Sequence, residues 1–183
     1  VLHNAESDYG SAGHYGWVMN LNFVLRGALS LAVVAAIRLV TPMTRRLRAG
    51  LVALAIWAVA SGLLAAFPDD PGGVTQHGSG RVHIVLALIA FPAVLVGATL
   101  TSSALRRLSI WQPVARSLTG IAWFALVPLI LMLHAGLRGH ELGALYEKVF
   151  LAAELAWFLA TTVYIARTSR TQPVSSRAAG SAR

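Results

Sequence analysis

The chain reads as an all-α, polytopic transmembrane bundle with five spans. Three observations predict it. Hydrophobic residues make up 56% of the 183 residues and charged residues 12%, against about 25% charged in soluble domains. Apolar stretches near the length a bilayer requires, about 20 residues, recur along the chain. The arginines fall mainly in the short polar segments between those stretches.

The predicted spans are Trp17–Val40, Leu51–Phe67, Val82–Leu105, Val114–Leu137 and Val149–Ala166. The second is short and stops at Pro68. Thr41–Gly50, Pro68–Arg81, Arg106–Pro113 and Arg138–Lys148 join them. The opening stretch Val1–Gly16 is polar and lacks the apolar core of a signal peptide. Residues 1–166 thus form the bundle with its outer N-terminal segment. Residues 167–183 are rich in Ser, Ala and Arg without an apolar period, and are expected to form a disordered basic cytoplasmic tail. No internal repeat at a fixed period is visible. The absence of cysteine excludes disulfides, thiolate metal sites and thiol redox catalysis.

Arginine placement sets the sides. Arg38, Arg45, Arg46 and Arg48 lie at the first connection, Arg106, Arg107 and Arg116 at the third, and Arg167, Arg170, Arg177 and Arg183 in the tail. An odd number of spans puts all of them on one face. The other face holds Arg81, Arg138 and Lys148. The positive-inside rule then places the tail in the cytoplasm and Val1 outside, in a bacterial inner or plasma membrane. The net charge of +8 is explained by topology, so nucleic acid is not an expected partner. Glu6, Asp8, Asp69, Asp70, Glu141 and Glu147 map to the outer face. So do His3, His14, His77, His83, His134 and His140. Short cytoplasmic connections that favour Arg account equally well for that histidine distribution.

Two charges lie inside the spans. Arg26 sits about 13 Å below Trp17 and Glu154 about 9 Å below Lys148, at 1.5 Å rise per residue. A charge near the bilayer centre costs about 3 kcal/mol or more, so it should face protein and find a partner. Opposite sign and similar depth predict an Arg26–Glu154 ion pair, which requires the first and fifth helices to touch. Asn22, Arg26 and Ser30 recur every four residues, and Glu147, Glu154 and Thr161 every seven; each set makes a polar stripe on one helix face. The pair serves either as a register lock or as a proton, ion or headgroup contact in a cavity.

The outer rim carries the other candidates. Asp70, His77 and His83, with His134 or His140, are residue types that bind zinc, and three ligands plus water make a catalytic site. Zinc-polarised water would attack an amide or ester. The spacing matches no protease motif. The residues also fit a purely structural reading, with Asp69 or Asp70 capping a turn, Gly72 and Gly73 bending the chain, and the histidines at the wet interface. Haem would need inward-facing histidine pairs deeper in the bundle, a depth that His134 alone approaches. Tyr15, Trp17, Trp111 and Tyr164 lie near span ends, as interfacial aromatics do. Trp57, Trp123 and Trp157 lie deeper and are expected to pack. Pro92 and Pro128 should kink their helices or free carbonyls. Gly27, Gly62, Gly97 and Gly120 should permit close helix approach.

The motifs Asp8-Tyr9-Gly10, the run Tyr15–Gly27, and Phe67-Pro68-Asp69-Asp70-Pro71 followed by His77-Gly78 and His83 resemble the bacterial membrane family catalogued as domain of unknown function 998. The resemblance covers most of Val1–Ala166. It implies a six-helix bundle, and hence a first helix preceding Val1 or a partner subunit in its place. It carries no settled biochemical activity over to this chain. Three functional classes follow from the residues: a non-enzymatic accessory or ligand-binding membrane subunit, a metal-dependent hydrolase of a lipid or amide at the outer leaflet, and a small transporter gated at Arg26–Glu154. The lack of paired broken helices speaks against the last.

Overall fold

In the computed structural model, residues 16–70, 78–138 and 142–171 are described. They form five long helices: α1 (Gly16–Val40), α2 (Arg45–Leu63), α3 (Gly78–Leu105), α4 (Gln112–Arg138) and α5 (Gly143–Thr171). Each is long and apolar enough to cross a membrane. Each helix packs on the next in sequence, and α1 closes against α5. No strand occurs among the described residues. The exterior is apolar: Leu29, Leu39 and Leu159 are more than 60% exposed. An apolar surface of this extent is incompatible with water and suited to lipid. The chain is a multi-pass membrane protein.

The helices outrun the apolar stretches that mark them. α2 starts at Arg45, inside the expected Thr41–Gly50 connection, because the Thr44 hydroxyl accepts from the Leu47 amide at 3.1 Å and caps it. α3 begins at Gly78, before Val82. α5 carries on past Ala166 to Thr171, so Arg167 and Arg170 ride on its last turns; residues 172–183 lie outside the described part. α2 ends as expected before Pro68, in a 3-10 turn at Leu64–Ala66.

Small residues set the α1–α2 and α2–α3 spacing. A Cβ on Gly27 would lie 2.6 Å from the Ala58 carbonyl oxygen, and one on Gly97 would lie 2.8 Å from the Leu54 amide. Gly62 receives Gly27 from the opposite helix. Gly120 departs from the expectation: it meets open space. Two indoles stitch the core. Trp57 donates to Ser30 at 3.3 Å across α2–α1, and Trp157 donates to Ser102 at 2.9 Å across α5–α3. Trp123 does not pack as expected but is 57% exposed on the outer surface of α4. Trp111, expected at the interface, is buried against Tyr164, whose hydroxyl donates to the Ile110 carbonyl.

Arg46 donates to Ser103 at 3.3 Å. The start of α2 and the end of α3 therefore share one end of the bundle, with the arginines of the first and third connections. The Phe67–Asp70 segment and the start of α3 form the opposite end.

Candidate functional site

At the end opposite the arginines, a cleft of about 250 Å3 is lined by the Phe67–Asp70 segment, α3, α4 and α5. Its polar residues are Asp69, His83 and Glu147. Its apolar wall includes Leu88, Phe91, Leu129 and Leu133. Pro92 lies inside α3. It has no N–H to close the helical bond to the Leu88 carbonyl, and Leu88 and Pro92 both line the cleft.

His83 is buried, 5% exposed. Its Nδ1 lies 2.8 Å from the Phe67 carbonyl oxygen. A carbonyl only accepts, so Nδ1 carries a proton and donates it to this bond. The ring edge also meets Phe23 of α1, centroids 6.2 Å apart. Phe23, Met19 and Leu64 form a small apolar cluster behind it.

Asp70 sits apart from the cleft lining. It is buried, and a Cβ on Gly80 would lie 2.3 Å from its Oδ2. Its carboxylate thus lies against the first turn of α3, where the helix dipole favours negative charge. Asp69 accepts from the Asp70 amide at 2.9 Å, and Ser79 donates to the Pro68 carbonyl at 3.0 Å. The Ser79 bond and the His83 contact strap the Phe67–Asp70 segment onto α3.

The expected zinc set is not assembled from the described residues. His77, along with His3, His14 and His140, lies outside them. His134 is exposed on α4. No group of three His, Cys, Asp or Glu side chains able to hold a metal occurs among the described residues. The residue that the rim reading missed as a site member is Glu147, placed on the outer face and in a polar stripe on α5 but not among the ligand candidates. Its membership depends on α5 lying beside α3, which no local pattern reports.

Arg26 and Glu154 are both buried, 8% and 5% exposed. The helices bearing them touch. Neither Glu154 oxygen accepts a hydrogen bond from the described residues. The Arg26 guanidinium also stands 5.6 Å from the Phe23 ring centroid. The rest of the Asn22–Arg26–Ser30 stripe faces protein: Ser30 is buried under Trp57. Thr161 is fully buried too. Arg26 and Ser30 line a second, larger cavity of about 530 Å3 between α1 and α5, otherwise walled by apolar side chains and Thr162.

No curated protein and no solved structure matches the chain. A family model described as Protein of unknown function (DUF998) matches residues 1–164. With nearly the whole helical bundle inside that match, the chain belongs to the DUF998 family of membrane proteins.

Proposed function

We propose that the protein is a ligand-binding membrane subunit that takes an amphiphile with a cationic or hydrogen-bond-donating head into the α3–α4 cleft. The composition of the cleft carries this reading: two carboxylates and an imidazole on an otherwise apolar wall. Ligand sites have this character, mostly apolar with a few polar groups that fix orientation. Carboxylates select an ammonium or hydroxyl head, and the wall takes the chain. The distribution of arginine supports a cytoplasmic location for the opposite end, so the cleft would serve the outer leaflet. Arg26 and Glu154, in this reading, pair to fix α1 against α5.

The test uses the full chain in lipid nanodiscs and photoreactive long-chain probes that differ only in an amine, alcohol or carboxylate head. The amine and alcohol should crosslink to α3 and α4, and Glu147→Gln and Asp69→Asn should lower capture of the amine. Equal labelling by all three probes, unchanged in both variants, would remove the proposal.

A metal-dependent hydrolase is favoured by one observation. The Nδ1–carbonyl hydrogen bond of His83 is the arrangement that orients metal-ligating histidines. Zinc on His83, with His77, His134 and Asp70 as further ligands, would be stoichiometric in purified protein and lost in His83→Ala. Metal-free protein that folds and keeps its ligand would dispose of it.

A further inference from the structure

The opposite end of the bundle holds a cavity of about 490 Å3, lined by Arg106, Gln112, Pro113, Ala115 and Arg116. Two guanidinium groups and a carboxamide supply its polar surface, and no carboxylate lines it. We propose that this cavity binds a phosphate ester.

The two arginines come from different elements held in a fixed relation. Arg106 leaves the end of α3 with its amide still bonded to the Ser102 carbonyl at 3.0 Å. The connection to α4 then turns through consecutive backbone bonds: Arg107 to Ala104 at 3.2 Å, Leu108 to Leu105 at 2.9 Å, and Trp111 to Leu108 at 3.0 Å. Trp111 anchors the turn by burying its ring, 2% exposed, against Tyr164 of α5. Tyr164 holds the neighbouring Ile110 carbonyl. Gln112 and Arg116 are one helical turn apart and share a face of α4. The connection is therefore a braced frame, and Arg106 from the end of α3 and Arg116 from α4 line one cavity.

Guanidinium groups suit this ligand. Each presents a planar fork of donors that matches phosphate oxygens, and each stays charged at every physiological pH. A carboxamide adds a neutral donor for an ester or hydroxyl oxygen. The cavity is larger than a bare phosphate needs, which leaves room for the organic part of an ester. Its position at the polar ends of α3 and α4 brings it to the level of lipid headgroups. The same chemistry would serve a phosphomonoester lipid or a soluble phosphate ester. Arg107 provides the internal control: it is adjacent in sequence and equally charged, yet it does not line the cavity.

The experiment measures retention of phosphatidate, phosphatidylcholine and glycerol phosphate by the full chain in detergent, using native mass spectrometry. Phosphatidate retained over phosphatidylcholine, with weak glycerol phosphate binding, assigns the site to lipid. Comparable glycerol phosphate binding assigns it to a soluble ester. In either case Arg106→Gln and Arg116→Gln should each weaken binding about tenfold or more, as loss of a charge-assisted hydrogen bond does, while Arg107→Gln leaves it within about twofold of wild type. All three arginines are exposed, so unchanged thermal unfolding is expected and serves as the folding check. Arg107→Gln weakening binding as much as Arg116→Gln would reduce the effect to diffuse surface charge and overturn the proposal. So would failure to retain either phosphate ester.

Discussion

Asp70 lies close against Gly80 of α3, and that approach gives a single-residue prediction. An added methyl at Gly80 has no room beside Oδ2, at 2.3 Å. Gly80→Ala should destabilise the protein by about 1–3 kcal/mol, the usual range for overpacking. Gly78→Ala, whose methyl meets nothing within 4 Å, should be close to neutral. Thermal unfolding in detergent decides the matter: equal losses in both variants would mean that the helix start, not the Asp70 contact, is at stake. The buried charges predict a second result. Removing one partner of a buried pair leaves the other uncompensated, at about 3–5 kcal/mol. Glu154→Gln should therefore lower the yield of folded protein, and adding Arg26→Gln should restore part of it. Strictly additive losses would separate the two residues.

At the level of elements, α2 and α3 form the closest hairpin, because Gly97 lets α2 lie directly on α3. Gly97→Ala would press a methyl to 2.8 Å from the Leu54 amide and side chain, and should shift unfolding downward by several degrees. Gly120→Ala, on open helix surface, should raise it slightly, since alanine favours helix over glycine by about 1 kcal/mol. Reversal of that order would contradict the packing described. The same two glycines show what the sequence can report. Both look like helix-contact residues, and only the packed structure separates them. All five helices were legible, because a bilayer imposes length and apolarity on each span. Their true ends are less so: arginines at the start of α2 read as a loop, although the Thr44 cap starts the helix at Arg45. The burial of Arg26 and Glu154 followed from the cost of exposing charge to lipid. Membership of Glu147 in the cleft did not, because it depends on which helices are neighbours.

The whole molecule has two chemically distinct ends: most of the arginines at one, carboxylates and His83 beside Arg81 and Arg138 at the other. Because the chain has no cysteine, sidedness can be read with single introduced thiols. Gly78→Cys, at an exposed position, should react with an impermeant maleimide in intact cells, and Arg107→Cys only after the membrane is opened. Labelling of both from the same side would contradict the five-span topology, and exchange of the two results would invert the assigned orientation.

The tryptophans divide along another line. Trp57 and Trp157 are sequestered and hydrogen-bonded, whereas Trp123 projects from α4 toward hydrocarbon. The native chain thus contains its own optical depth gauge. Trp17 is exposed as well, so in a Trp17→Phe variant brominated acyl chains should dim the fluorescence of Trp123 while leaving the interior pair bright, and the bromine position that quenches most would report how deeply the middle of α4 is immersed.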